Sequence, residues 1–153
     1  MKAVRVHAPG GAEVLSYEEV APPEPGEGQA LVRVEAAGVN YIDVYQRAGL
    51  YRVTLPVTLG QEAAGTVTSP GPGVTGFAVG DRVAWVNILG AYAEYAAVAA
   101  DRLVRLPEGV TSREGAAVML QGMTAHYLTT STYALNLRVG EYSVQPAAPS
   151  LRK

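Results

Sequence analysis

The sequence contains no cysteine and only two histidines, which limits the chemistry open to it. Without cysteine there can be no disulfide, no thiolate nucleophile and no sulfur ligand for a structural zinc. His7 and His126 are then the only imidazole ligands that a metal could use. The sequence therefore predicts a protein without a structural zinc site.

Long apolar runs and a strong charge imbalance are missing as well. No uninterrupted apolar run reaches the roughly 18 residues of a membrane span, and residues 1–11 turn to proline and glycine before an apolar run of signal-peptide length accumulates. Of the 153 residues 17% are charged and 48% hydrophobic, and the formal net charge is -2. This composition predicts a folded cytoplasmic protein that binds neither nucleic acid nor membranes.

Short segments rich in valine, alanine and tyrosine alternate with proline and glycine clusters over the first two thirds of the chain. This pattern is typical of a compact antiparallel β domain. The predicted strands are Lys2–Ala8, Val14–Val20, Ala30–Ala37, Ala63–Thr68, Arg82–Val86 and Tyr92–Val98.

Two segments follow a helical pattern instead. The first, NYIDVYQRAGL, has aromatic and apolar residues at helical spacing, Asn40 in the position of an N-cap and Gly49 as a closing glycine. The second begins with Thr111 or Ser112 as N-cap and has Glu114 in its first turn, which predicts a longer helix. Gly122 is expected to interrupt that helix.

The segment Gly71–Gly76, GPGVTG, matches the dinucleotide fingerprint G-x-G-x-x-G. That fingerprint requires a helix after it, so that the pyrophosphate meets a helix N-terminus. Here the residues that follow, FAVGDRVAWV, predict a turn and a strand. The segment is therefore interpreted as a loop.

Several polar and aromatic residues between positions 40 and 62 have more than one interpretation. Asp43 and Glu62 could act as an acid and base pair, although Asp43 facing its own helix end and Glu62 paired with an arginine are the simpler interpretation. Tyr45 and Tyr51 are either core or rim aromatics or the walls of a pocket for an aromatic ligand. Gln61 could be a surface residue, a hydrogen-bonding residue of a site, or the remnant of a metal ligand.

A family resemblance bears on these alternatives. The segments MKAVRVHAPGGAEVLSYEEV, AAGVNYIDVYQRAGLY, LGQEAAGTV, GVTGFAVGDRV, GAYAEYAAVAADRLVRLPEGV and LQGMTAHYLTTSTYAL occur in this order. Together they resemble the zinc-independent quinone oxidoreductases of the medium-chain dehydrogenase/reductase superfamily, the group that includes zeta-crystallin. The resemblance covers residues 1–139 and implies a mainly β, GroES-like, partly open barrel with a few helices.

The resemblance implies a reaction without zinc. In zinc-dependent alcohol dehydrogenase relatives the counterparts of Asn40 and Gln61 are a cysteine and a histidine that hold catalytic zinc. Amides are poor zinc ligands. The quinone oxidoreductases instead transfer a hydride directly from NADPH to a quinone or a similar enone.

The resemblance also implies roles for individual residues. Asn40 would hydrogen-bond near the nicotinamide or the quinone oxygen, and Tyr45 and Tyr51 would line the substrate pocket. Gln121 and Thr124, together with Asn40, would lie near the cofactor. Glu62, outside the site proper, would remain an internal structural charge.

The similarity stops at Gly140, where the family continues into a glycine-rich phosphate loop and a Rossmann domain. Residues 1–139 are accordingly predicted to form the GroES-like catalytic domain, and residues 140–153 a divergent tail of a truncated or frame-shifted product. The resemblance then leaves three possibilities: a quinone oxidoreductase domain, inactive alone if NADPH binding is lost; half of a split enzyme; or a non-enzymatic binding module. In the family, the chain returns after the Rossmann domain to complete the first domain. Without that returning segment a sheet edge or an apolar face would be left uncovered, which predicts a homo-oligomer.

Overall fold

The computed structural model describes residues 1–132, so the expected domain boundary at residue 139 and the tail 140–153 lie outside the described residues. Eight strands and three short α-helices occur in this part of the chain. The strands are β1 (Lys2–Val6), β2 (Leu15–Glu19), β3 (Gln29–Ala37), β4 (Val57–Thr58), β5 (Glu62–Pro70), β6 (Arg82–Val86), β7 (Tyr95–Ala99) and β8 (Val104–Arg105). The helices are α1 (Tyr41–Arg47), α2 (Ser112–Ala117) and α3 (Met123–Tyr127).

The strands form two antiparallel sheets. The smaller sheet has the order β2-β1-β4 and the larger one the order β7-β3-β5-β6-β8. A bridge between Ala3 and Ala93 connects the sheets, which do not close into a complete barrel in the described part of the chain. The prediction of a mainly β, partly open GroES-like fold with a few helices is confirmed.

The core lies on the inner face of the larger sheet, where side chains alternate between the core and the outside. In β3, Ala30 and Val32 are fully buried, and Trp85 of β6 is the largest side chain that water does not reach. A second, smaller cluster packs α2 against β5 and β6 through Ala64, Ala84, Ala116 and Met119. Because three of these four residues are alanine, the helix lies close to the sheet.

One predicted strand is wrong at its start. Residues Tyr92–Glu94 do not belong to the strand that follows them, because their backbone bonds to the smaller sheet: Val4 N–H donates to the carbonyl of Tyr92 at 2.8 Å. The strand that pairs with β3 begins at Tyr95, and the carbonyl of Glu94 just before it accepts a hydrogen bond from the N–H of Val34 at 2.9 Å. The two-residue strands β4 and β8 were also missed, since two residues are too few to show an alternating pattern.

The two predicted helices are present, but Gly122 does not interrupt the second. Thr111 is the N-cap of α2, and its hydroxyl and the Glu114 carboxylate form a capping box. The backbone stays helical through Gly122, and residues Val118–Gly122 form a π turn with i→i+5 hydrogen bonds between α2 and α3. A second π turn, Leu128–Thr132, follows α3.

The glycine-rich segment Gly71–Gly76 lies in the connection between β5 and β6, as predicted, and no helix follows it. Arg105 of β8 holds this connection in place. Its guanidinium pairs with Asp81 at 2.8 Å and lies 4.9 Å from the centre of the Phe77 ring. Within residues 1–132 we find no helix with both the length and the apolar character that crossing a membrane requires.

Gly65 allows β3 and β5 to pair across an irregular register. It lies opposite Val34, where the register between the two strands shifts. A Cβ atom on Gly65 would lie 2.0 Å from the carbonyl oxygen of Arg33, which is backbone and cannot turn away. Position 65 therefore requires glycine for steric reasons.

We expect Gly65→Ala to lower the free energy of unfolding by about 1–3 kcal/mol, the usual cost of overpacking a core. The matched control is Gly76→Ala, since a Cβ there meets no atom within 4 Å and its φ is not positive. Urea unfolding of both variants measures the difference. Equal midpoints for the two variants would show that β3 moves aside at no cost.

Candidate active site

The site begins where β3 ends and α1 starts. Asn40 occupies the N-cap position of α1, with extended backbone angles, and its N–H donates to Oδ2 of Asp43 at 2.9 Å. Asp43 thus faces the start of its own helix, as predicted, and it is 4% exposed. This arrangement fixes the direction in which the Asn40 side chain leaves the helix.

Glu62, the first residue of β5, is fully buried beneath the start of α1. Its Oε2 accepts a hydrogen bond from Asn40 Nδ2 at 2.9 Å, and its Oε1 accepts one from the backbone N–H of Leu120 at 2.5 Å. Leu120 lies in the π turn, so its N–H reaches the carboxyl group of a residue 58 positions away. Glu62 therefore joins α1, the sheet and the second helix.

The interpretation of Glu62 as the partner of an arginine is wrong. Within residues 1–132 no lysine, arginine or histidine nitrogen lies within 4.0 Å of its carboxyl group. The side chain points under α1, where two N–H groups take the place of a cation. A Cβ at position 38 would fall 2.1 Å from Glu62 Oε2, so only glycine leaves room for the carboxyl group.

The three predicted cofactor-binding residues lie together around one cleft. Gln121 donates from Nε2 to Oδ1 of Asn40 at 3.2 Å and to the carbonyl of Val39 at 3.1 Å. The cleft beside them has a volume of about 610 Å³. The residues that line it are Val39, Asn40, Tyr41, Leu120, Gln121, Thr124, Ala125 and Leu128.

The two predicted catalytic tyrosines do not line this cleft. Tyr45 packs edge to face on Tyr51, with 5.5 Å between ring centres, and Tyr41 lies 6.2 Å from Tyr45. The three rings thus form a row that leads from the cleft, where Tyr41 is a wall residue, to Tyr51. Sequence reasoning missed Tyr41 as a wall residue, although its i,i+4 spacing to Tyr45 places both rings on one helix face.

Tyr92 is a second residue that sequence reasoning missed, because it was assigned to a strand. Its hydroxyl donates to Oδ2 of Asp43 at 2.6 Å. Burial, followed by the hydrogen bond to Asp43 and the nearby charges of Asp43 and Glu62, raises the pKa of Tyr92 well above its ordinary value. Its ring lies against Gly60, where a Cβ would come within 2.5 Å of the ring and φ is +87°.

Gln61 is buried, with 7% of its surface exposed, so its interpretation as an ordinary surface residue is wrong. Its backbone carbonyl accepts a hydrogen bond from Asn87 at 2.8 Å. Within residues 1–132 we find no group of three or more histidine, cysteine, aspartate or glutamate side chains placed to hold a metal ion. The side chains of Asn40 and Gln61 are both amides, which bind zinc poorly.

We expect Asn40→Asp to make stability depend on pH. The substitution places a second carboxyl group against Glu62, and two carboxyl groups at this distance raise the pKa of the pair. The folded state then binds a proton more tightly than the unfolded state, so stability is retained at low pH and falls as the pH rises. At neutral pH the variant should lose about 1–3 kcal/mol.

Urea unfolding at pH values on both sides of the carboxyl range measures this effect. Asn87→Asp, which adds the same charge at an exposed position, is the matched control. The same pH dependence in both variants would contradict a direct contact between residue 40 and Glu62.

Tyr92→Phe should change the response to alkaline pH. An unfolded tyrosine releases its proton near its ordinary pKa of 10.0, whereas the raised pKa keeps folded Tyr92 protonated. The contribution of Tyr92 to stability is therefore complete below the unfolded pKa of 10.0 and is lost as the pH rises toward the folded pKa. Stability of the variant should fall less steeply above about pH 10 than that of the parent.

Thermal or urea unfolding followed across this pH range provides the measurement. Tyr17→Phe serves as control, because Tyr17 is 73% exposed. Parallel curves for Tyr92→Phe and the parent would exclude the coupling of Tyr92 to Asp43.

Comparison with known proteins identifies relatives of this chain. Residues 26–108 match the model of the alcohol dehydrogenase GroES-like domain family. A quinone oxidoreductase of Pseudomonas aeruginosa is 48% identical over 142 residues, which cover 92% of this chain and 43% of the relative. The chain thus spans about two fifths of the length of this curated relative.

Two solved structures have the same fold over the matched part. Quinone oxidoreductase of Escherichia coli complexed with NADPH matches with a TM-score of 0.83 and 40% identity, covering 87% of this chain and 41% of that one. A mycobacterial protein complexed with NADPH has a TM-score of 0.83 and 43% identity, covering 88% and 42%. The family model matches more than half of the sequence. The chain therefore belongs to the family of alcohol dehydrogenase GroES-like domains, with quinone oxidoreductases of the medium-chain dehydrogenase/reductase superfamily as its relatives.

Proposed function

We propose that this chain forms the substrate-binding side of an NADPH-dependent quinone oxidoreductase that works without a metal. The observation that carries the proposal is the cleft at which Asn40, Gln121 and Thr124 come together, in a chain similar to quinone oxidoreductases over most of its length. The substrate is a quinone or a similar enone. Localisation in the cytoplasm is part of the same proposal.

The cleft fits the nicotinamide end of NADPH. A nicotinamide carboxamide both donates and accepts hydrogen bonds, as do the amides of Asn40 and Gln121, while Leu120 and Leu128 offer apolar contact for a ring. A volume of about 610 Å³ lies within the usual range of ligand pockets. The Gly71–Gly76 loop leads into a strand, so it offers no helix N-terminus to the pyrophosphate.

Asn40 is the residue best placed to bind the carbonyl oxygen of a substrate. Its side-chain nitrogen carries two hydrogens, of which one goes to Glu62. Its oxygen accepts from Gln121, so the amide is held from both ends and its orientation is fixed. The second N–H can then donate to an oxygen in the cleft, where it would stabilise charge that develops on a reduced carbonyl.

When bound, NADPH supplies the hydride. The chain's own residues would bind and orient the reacting rings: the amides of Asn40 and Gln121 on the polar side, and Tyr41 as an aromatic wall that Tyr45 and Tyr51 support from outside the cleft. Holding two rings at reacting distance converts a bimolecular step into an effectively unimolecular one. No Lewis acid is required if an N–H donor stabilises the developing oxyanion.

A titration of the purified chain with NADPH, followed by nicotinamide fluorescence, tests the proposal. Saturable binding and subsequent oxidation by 1,4-naphthoquinone, above the rate without protein, are expected. Thr124→Val should weaken NADPH binding about 3- to 10-fold, as for the loss of one hydrogen bond. Thr54→Val, at an exposed position outside the cleft, is the control and should bind as the parent does.

Failure to bind NADPH at millimolar concentration would contradict the proposal for this chain alone. A second candidate function then gains support: a binding domain that is completed by another protein or by a second copy of itself. The observation that favours it is a set of six apolar side chains in or next to the helices, each between 41% and 74% exposed, which we call the apolar helix patch. These are Val39, Tyr41, Val118, Met123, Tyr127 and Leu128.

Self-association through the apolar helix patch would give a mass that rises with concentration in light scattering, and a homo-oligomer remains our prediction. A monomer at all concentrations that gains NADPH oxidation on addition of a separate cofactor-binding protein would identify a split enzyme. A chain without oxidation in either case would be a binding module.

A further inference from the structure

A second cavity lies on the other end of α1 and shares no lining residue with the Asn40 cleft. It has a volume of about 300 Å³ and lies between Pro9, the last turn of α1 and the segment 49–55. Cavities of this size are at the lower end of those that bind small ligands. It can therefore hold a compact molecule with about the dimensions of one substituted ring.

Gln46 offers hydrogen-bond donors to this cavity. The residue is 8% exposed, and its Oε1 is shielded from water without a donor. Its Nε2 is not shielded in this way and forms no hydrogen bond with the described residues, so its N–H groups are available to an acceptor in the cavity.

Arg52 is the second polar residue of the cavity wall. Among residues 1–132 we find no carboxylate within 4.0 Å of its guanidinium and no hydrogen bond from it. None of the described residues that line the cavity is acidic. Arg52 and Gln46, which both carry N–H donors, therefore line a small cavity whose described wall residues include no carboxylate.

The remaining walls are apolar. Pro9, Val53 and Leu55 contribute aliphatic surface, and the ring of Tyr51 contributes an aromatic face. An anion with two acceptor oxygens suits the guanidinium, whose planar fork matches a carboxylate. A ring or short apolar body suits the rest of the wall.

We propose that this cavity is a binding site for a small apolar carboxylate, with Arg52 and Gln46 binding the carboxylate oxygens. The proposal does not depend on NADPH or quinone binding. A weak affinity, in the millimolar range, is expected for a ligand of about nine non-hydrogen atoms. Added salt should weaken it, because the charge of Arg52 is exposed to solvent.

Benzoate is the probe. Titration into the ¹⁵N-labelled chain at neutral pH should shift the Gln46 side-chain NH₂ and the Arg52 Nε–H signals in a saturable way. Benzamide, which has the same shape without the charge, should bind about tenfold more weakly, as expected for a hydrogen bond that loses its charge assistance. Benzyl alcohol should bind more weakly still.

Two variants separate the contributions of the donors. Arg52→Gln should reduce benzoate affinity about tenfold and abolish the preference over benzamide. Gln46→Met conserves volume and removes a buried amide without a partner, so the protein should stay folded while benzoate affinity falls. Arg113→Gln, at an exposed position on α2, is the matched control and should bind as the parent does.

Three outcomes would overturn the proposal. They are shifts that remain linear into tens of millimolar benzoate, equal affinities for benzoate and benzamide, and an unchanged affinity in Arg52→Gln. Unchanged NADPH binding in Arg52→Gln would show that the carboxylate site and the Asn40 cleft are separate, so each proposal can fail without the other.

Discussion

The carboxyl group of Glu62 is the constraint on which the rest of the site depends. It is fully buried, and both of its oxygens are held by N–H groups from other elements, the amide of Asn40 and the backbone of Leu120. Loss of either partner would leave a buried carboxyl oxygen without a hydrogen bond, which strongly destabilises a protein. The α1 helix and the helix after β8 are therefore coupled in their positions. The cleft lies between these two helices, and its width is therefore determined by Glu62.

Tyr92 supports the same region from the other side. Its ring packs on Gly60, two residues before Glu62, and its hydroxyl holds Asp43 in α1. The short helix α1 is thus attached to the sheet at both Asn40 and Asp43, although a helix of seven residues has little stability of its own. This attachment holds the Asn40 amide in a fixed position at the cleft, as the proposed alignment of two flat rings would require.

Much of the architecture could be predicted from the sequence, because strands that alternate in burial and helices with capping residues leave local patterns. The starts of α1 and α2 at Asn40 and Thr111 are examples, and so is the loop at Gly71–Gly76. What could not be predicted depends on contacts between distant residues. One of the two partners of Glu62 is a backbone N–H 58 positions away, and backbone N–H groups are the same at almost every residue, so a sequence does not single one out. Tyr92 was assigned to the strand of the larger sheet for the same reason. Its segment bonds instead to Lys2–Val4 of the smaller sheet, and this long-range pairing leaves no local pattern.

The π turn at Val118–Gly122 has a consequence for how this part of the chain can vary in length. An α-helix advances 100° per residue, and a π turn accommodates an additional residue within one hydrogen-bonded ring. A one-residue deletion there would leave a regular α-helix, in which the N–H at the position of Leu120 would bond to the carbonyl four residues earlier and no longer to Glu62. The length of this turn therefore matters to the site as much as its side chains do, because the turn leaves a backbone donor for a buried carboxyl group.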